Sequence, residues 1–280
     1  MVGPAVVLRR SALYLALLLL TAVFVVPFLW MILASLKNTV QIFAFPPRIL
    51  PRPAMWKNYL RIWQVFPLAR LYFNSMLVAG IVAFSQVVTS AMAAYVFARL
   101  SFPGRTIIFL LYLAVMMIPT QVTVIPLFII VQRMGLVDTY GALIVPFLAY
   151  PFGAFLLRQF FLAIPRELED AALVDGCRRL WILTRIIIPL SRPAMVTLGM
   201  LAFMFTWNSF LWPLLVTNTS DRYTIQVGLA MLRTQLVSAG DANWSLLMTA
   251  TVISIMPVLV FYLFAQKQII RGITMTGLKG

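Results

Sequence analysis

Six apolar runs, each long enough to cross a bilayer, divide this chain, and none carries an Asp, Glu, Lys or Arg near its middle. They fall at about 11–36, 72–98, 106–131, 139–162, 193–216 and 244–266. A hydrocarbon core of roughly 30 Å takes about 20 helical residues to cross, so each run predicts a transmembrane helix. With 62% hydrophobic residues, 10% charged residues and a mean hydropathy of +0.98, the chain could not hide its apolar surface as a water-soluble domain. The first run follows Arg9 and Arg10, exceeds a secretory apolar core in length and has no small-residue cleavage site after it. It reads as a retained span.

An even number of spans puts both termini on one side, and Lys and Arg counts decide which. With cytoplasmic termini, the inside holds Arg9, Arg10, Arg99, Arg105, Arg158, Arg166, Arg178, Arg179, Arg185, Arg192, Lys267, Arg271 and Lys279. The outside holds Lys37, Arg48, Arg52, Lys57, Arg61, Arg70, Arg133, Arg222 and Arg233. Thirteen against nine favours cytoplasmic termini. The net charge of +15 therefore reflects membrane orientation, and no nucleic-acid partner is expected.

What the chain lacks narrows its chemistry. It has no histidine, the commonest general base and metal ligand, and its single Cys177 rules out an intrachain disulfide. No catalytic residue and no metal site is assigned. An ion-coupled secondary transporter usually keeps ionisable groups at membrane depth, and these span centres have none. A sodium site built from carbonyls alone would still permit that alternative. A membrane-embedded lipid-modifying enzyme would need an acid–base constellation at the interface, for which only the loop acids are on offer. The chain also has no phosphate-binding G-x-x-x-x-G-K-[ST] motif, so energy for uphill transport would arrive through a partner.

Pro27, Pro119, Pro126, Pro146, Pro151, Pro213 and Pro257 punctuate the runs. A proline frees a carbonyl that lipid cannot satisfy, so each kink faces protein or a wet cavity. Ordinary bundle geometry and a path-lining role both fit. The second run carries Ala79, Gly80, Ala83, Ser90, Ala91 and Ala94 for close helix approach, and Gln86, Thr89 and Ser90 for bonds across helices. Gln86 is also a candidate for a translocation path. The fifth run contains "TWNSFLWPLL", where Trp207 and Asn208 join an amide and indole chemistry suited to a hydroxylated ligand. Its place toward the outer end favours an interfacial tryptophan belt.

Residues 163–192 form the longest cytoplasmic connection, and 167–190 read "ELEDAALVDGCRRLWILTRIIIPL". Four of the seven acids lie here. Pro165 predicts a helix start, with Glu167, Glu169 and Asp170 in first turns where negative charge suits the dipole. Asp175-Gly176 predicts a turn, and a second helix runs through Trp181 and Ile187 until Pro189 interrupts it. An amphipathic segment on lipid headgroups is one reading, with Arg178, Arg179 and Arg185 reaching the interface. Docking against another protein is the other, since acids are repelled by an anionic leaflet and Ala171 and Ala172 permit close contact.

The run "ELEDAALVDGC" followed by "IIIPL" resembles the EAA loop of binding-protein-dependent ABC importers. In that family a Glu-Ala-Ala, a glycine four residues after the second alanine and a later I-x-L-P make a coupling helix seated in a cleft of the ATPase. Asp170, Ala171, Ala172 and Gly176 match these positions, with Glu169 and Asp175 flanking them and Ile187, Ile188 and Pro189 behind. Asp170 departs from the family's Glu by one methylene, and Cys177 stands where a small residue is usual. "NSMLVAGIVAF", "AAYVFARLSFPGR", "MMIPTQVTVIPLF", "TWNSFLWPLL" and "QKQIIRGITMTGLKG" extend the resemblance over roughly 70–280, to the smaller membrane subunit of maltose-type sugar importers.

The resemblance implies an all-α integral membrane protein with the six-transmembrane-helix type I ABC importer permease fold and a cytoplasmic coupling helix. The implied layout is 1–36 for the N-terminal tip and first helix, 37–71 for an extracytoplasmic loop, 72–266 for the transmembrane core with its coupling loop at 163–192, and 267–280 for a cytoplasmic tail. It implies a bacterial inner membrane, a second homologous permease, two ATPase subunits that hold ATP and Mg, and an extracytoplasmic solute-binding protein. This chain itself would bind no cofactor. The tail, with Gln266, Gly277 and Lys279, would reach the ATPase interface, loop 217–243 would face the binding protein, and Trp56, Tyr59 and Trp63 would rest on the outer surface.

Overall fold

The computed structural model describes the backbone of residues 4–238 and 244–277, and the side chains of residues 10–235, 244–264 and 266. Among the described residues helix is the regular secondary structure, with no strand. In chain order the helices are α1 (Pro4–Ser35), α2 (Thr39–Ile42), α3 (Asn58–Val65), α4 (Leu68–Arg99), α5 (Arg105–Ala114), α6 (Thr120–Arg133), α7 (Tyr140–Ile144) and α8 (Pro151–Ala163). They continue as α9 (Glu167–Val174), α10 (Arg179–Ile182), α11 (Ile188–Leu190), α12 (Arg192–Trp207), α13 (Leu211–Val216), α14 (Ile225–Ser238) and α15 (Trp244–Gly277).

Only three unbroken helices among the described residues are long and apolar enough to cross a membrane: Arg10–Ser35, Leu68–Arg99 and Trp244–Phe264. Three further crossings are available as bent pairs. Arg105–Met117 turns by 98° into Thr120–Arg133, Tyr140–Phe147 by 42° into Pro151–Ala163, and Arg179–Leu190 by 84° into Arg192–Trp207. The third and fourth runs are thus broken rather than continuous, whereas the 84° bend falls just before the fifth. Pro119, with extended ψ of 132°, makes the first break, and Pro151 starts the helix after the second. Pro27, Pro126 and Pro257 lie inside α1, α6 and α15 without interrupting them. The fifth run also stops short: α12 ends at Trp207, and α13 begins three residues later than Asn208.

The chain divides into two compact units: Met1–Leu68 with Leu229–Met256, and Ala69–Gly228 with Pro257–Gly280. In the first, 37–71 is more than a connecting loop. Lys37 is buried and donates from Nζ to Arg48 O (2.6 Å), Gln41 Nε2 donates to Arg52 O (2.5 Å), and Asn58 Nδ2 donates to Ser35 O (2.8 Å). Tyr59 shares a 2.8 Å hydrogen bond with Ser35 Oγ, while Trp56 and Trp63 stay exposed. Likewise 217–243 is not simply a loop, since α14 fills much of it; residues 239–243 lie outside the described residues.

The second unit is built on α4. Its polar side chains answer the break between α7 and α8: Gln86 Nε2 donates to Phe147 O (2.9 Å), Ser85 and Thr89 hydroxyls to Leu148 O (2.9 and 3.0 Å), and Ser90 Oγ to Tyr150 O (3.3 Å). Carbonyls freed by a bend inside an apolar bundle need such donors. The approach is close because residue 153 is glycine: a Cβ there would sit 2.4 Å from Ser90 Oγ. Apolar side chains gather in two clusters along α4. Toward Arg99, Ala94, Ala98, Leu157, Phe161, Ala172, Ile182, Ile187 and Leu198 pack together. Toward Leu68, Val78, Val82, Leu143, Trp212 and Val216 do so.

Candidate functional site

The acidic elbow grows out of the Arg99 cluster. α9 spans the stretch expected from the sequence, with Glu167, Glu169 and Asp170 in its first turn. It ends in a glycine-capped turn: Cys177 N donates to Ala172 O (2.9 Å) and Gly176 N to Leu173 O (3.0 Å), with Gly176 at φ +77°. These are the two bonds of a Schellman cap, and the left-handed residue it requires is the glycine. Cys177 packs against the same cluster as Ala172, which is the apolar contact that usually accompanies such a cap.

Helical spacing gives α9 two faces. Glu169 and Ala172, three residues apart, are buried. Glu167, Asp170, Ala171 and Val174 are exposed, Val174 at 88%, and beyond the cap so are Asp175 and Gly176. Of the six residues expected to couple to an ATPase, four point outward and two inward. The exposed acids sit beside exposed Leu168, Leu173, Leu180 and Trp181. Acids interleaved with large apolar groups are poorly suited to bulk water or an anionic membrane surface and well suited to a protein partner.

Glu169 is held from α4. Arg99 Nε lies 2.6 Å from Glu169 Oε1, with both side chains nearly sealed from solvent at 3% and 8% exposure. Tyr95, one turn earlier on α4, donates from its hydroxyl to Glu169 Oε2 (3.3 Å). Neither Arg99 nor Tyr95 stood out in the sequence, where Arg99 counted only as an inside charge. The signal was available: Tyr95 and Arg99 are four apart, so they share one helix face.

After the cap, the chain re-enters the bundle through α10, a π-helical stretch at Leu183–Ile187, and α11. Pro189 was expected to interrupt this helix, yet it lies inside α11 and the 84° turn falls at Ser191. A π stretch shifts the hydrogen-bond register, and here it precedes a residue with no N–H to donate, so the helix survives the proline.

The other sequence candidates are dispersed. Trp207 is buried, stacked on Phe203 (5.7 Å between centroids) and edge-on to Tyr72 (5.6 Å). Trp212 is buried too, and its Nε1 donates to Ala142 O (3.0 Å). An interfacial belt is therefore not what these tryptophans form within this chain: each has a partner in the unit's core. Gln86 lines a cavity of about 30 Å³ with Thr206, Ser209, Trp212 and Thr224, space for about one water molecule. Asn208 is exposed on a shallow groove that shares Phe205 and Ser209 with this cavity, and it bonds back to Met204 O (2.8 Å). The three path candidates do not share a site. In the tail, Gln266 Nε2 donates to Leu263 O (3.0 Å) and α15 continues to Gly277, whereas Lys279 lies outside the described residues.

At the Leu68 end the loop 217–224 is tied down by polar bonds. Asp138, at φ +60°, accepts on Oδ1 from Asn218 N (2.9 Å), Thr219 N (3.0 Å) and Thr219 Oγ1 (3.1 Å). Those backbone N–H groups hold the Asp138 carboxyl below its ordinary pKa. Asn74 Nδ2 donates to Asp221 O (2.9 Å) and Tyr223 O (2.8 Å).

Among the described residues, several membrane-length apolar helices, a break whose carbonyls are satisfied from α4, and an acidic two-faced elbow define an integral membrane protein with a docking helix. Residues 86–275 match the family model described as binding-protein-dependent transport system inner membrane component. The chain is 34% identical over 283 residues to the arabinooligosaccharides transport system permease protein AraQ of Bacillus subtilis, covering 99% of each chain. It is also 34% identical over 281 residues to the trehalose/maltose transport system permease protein MalG of Thermococcus litoralis, covering 98% of each. A bacterial ABC transporter involved in importing the acidic polysaccharide alginate shares its fold, with a TM-score of 0.84 at 20% identity, covering 95% of this chain and 98% of that one. The chain belongs to the family of inner membrane components of binding-protein-dependent transport systems.

Proposed function

We propose that this chain is one of two homologous permease subunits in an ATP-driven importer for a carbohydrate or related polyol or sugar phosphate, with the solute delivered by an extracytoplasmic binding protein. The two-faced α9 carries this reading: its outward acids and apolar side chains form a protein-docking surface, and its inward face is fused to the bundle. Relatives named for arabinooligosaccharides and for trehalose and maltose support a carbohydrate solute. Six spans with both termini cytoplasmic would put the elbow on the same side as the termini, where two ATPase subunits holding ATP and Mg would grip it. In that layout 1–36 carries the first span, 37–71 faces outward, 72–266 forms the core, and 267–280 meets the ATPases.

Closure of the ATPases around nucleotide would then push α9 as a lever and switch a central cavity between outward and inward access. The switch follows the state that the engaged ATPases favour. The test is purification of the assembled complex from cells expressing the neighbouring subunits. Wild type is expected to carry an ATPase, and Asp170→Lys to insert normally but lose both ATPase and uptake. Uptake that survives ATP depletion and follows an ion gradient would overturn the reading.

A further inference from the structure

α4 ends on Arg99, and every group its guanidinium reaches lies in the chain from α8 to α9. Nη2 donates to Phe161 O (2.5 Å), which also accepts from Ile164 N (3.2 Å) at the end of α8, and to Ile164 O (2.7 Å) just beyond it. Nε meets Glu169. Tyr95 holds the other carboxylate oxygen. Three helix ends therefore converge on one buried ion pair.

Stability alone does not explain the pair. Apolar residues of similar volume often replace buried ion pairs without loss, whereas removing one partner is costly. Glu169 is also too buried to meet an ATPase, and Asp170, Ala171 and Val174 already supply an outward docking face. The pair adds direction. An apolar contact lets a helix roll or slide at little cost. A carboxylate in ion-pair contact at one oxygen and accepting a hydroxyl at the other, both from one helix, fixes the rotation of α9 and its distance from α4.

We propose that Arg99, Glu169 and Tyr95 form an ionic latch that makes α9 move as one body with the ends of α4 and α8. A push on the exposed face of α9 then reaches the bundle instead of being lost as rotation of a short helix. This rests on the reading of α9 as the ATPase-docking helix. The three are positioning residues, since they touch neither solute nor nucleotide.

The experiment uses the complete complex with its binding protein in proteoliposomes and reads ATP hydrolysed per solute imported. Only assembled complex is counted, so lost yield does not affect the ratio. Glu169→Gln and Arg99→Lys are expected to keep hydrolysis while raising that ratio about tenfold, within the usual range of coupling free energies. Tyr95→Phe strands no charge and is expected to raise it about twofold, a smaller share of the same coupling. It carries the test if the other variants do not assemble. A wild-type ratio in Tyr95→Phe and in every variant that assembles would overturn the latch and leave the docking reading intact. A wild-type complex with no ATPase would overturn the docking reading itself, and the latch with it.

Discussion

The two ends of α4 treat charge in opposite ways. At the Arg99 end an ion pair is sealed from solvent at 3% and 8% exposure. At the Leu68 end the corresponding pair, Arg70 with Asp221 at 3.5 Å, stands in solvent at 52% and 72%. Exposed pairs contribute little and are screened by salt, whereas a buried ion that loses its partner is strongly penalised. One end is therefore stiff and specific in register. The other is held by many small, replaceable bonds around residues 217–224. A lever has to be rigid where force enters, and the acidic elbow hangs from the rigid end.

The largest effect expected is from Arg99→Ala, which strands Glu169 and should cost roughly 3–5 kcal/mol. Arg70→Ala should cost under about 1 kcal/mol. Thermal unfolding of the purified protein measures both, and equal shifts would erase the contrast. Trp212→Phe comes next, because it leaves the Ala142 carbonyl at the Leu68 end without its indole donor, at about 1–3 kcal/mol. Gly176→Ala should cost about 1–2 kcal/mol for its left-handed backbone. Space is not the reason, as a Cβ there would meet nothing within 4 Å. Gly176→Asn should be milder, and hydrogen exchange at the Cys177 amide separates the two.

The smallest effect is a pH response confined to the Leu68 end. The Asp138 pKa is lowered in the folded chain, so its bonds to Asn218 and Thr219 contribute fully above the unfolded carboxylate value of about 3.9. They are lost as pH falls through the lower folded value. Exchange at the Asn218 and Thr219 amides should speed up there in wild type and show no such step in Asp138→Asn.

Much of this was legible in the sequence. The apolar runs, the limits of α9, its acidic first turn and the glycine cap follow from span length, helix capping and the Asp-Gly pair. The breaks were not, because proline alone does not specify one: Pro119 ends a helix, whereas Pro126, seven residues later, is carried inside the next. What decides is whether neighbouring donors can take the freed carbonyls, and the donors for 147–150 come from Ser85, Gln86, Thr89 and Ser90, some sixty residues away in the chain. The two roles within the acid cluster were hidden for a similar reason. Glu169 and Asp170 are adjacent and alike in charge, and only packing against Tyr95 and Arg99 separates an inward anchor from an outward contact.

Labelling one outward residue tests the central claim most directly. In a Cys177→Ala background, Val174→Cys should react with a membrane-impermeant maleimide in inside-out vesicles, remain unreactive in intact cells, and become protected when the ATPase subunits assemble. Reaction from the outside of intact cells, or labelling that the ATPase subunits leave unchanged, would contradict the account.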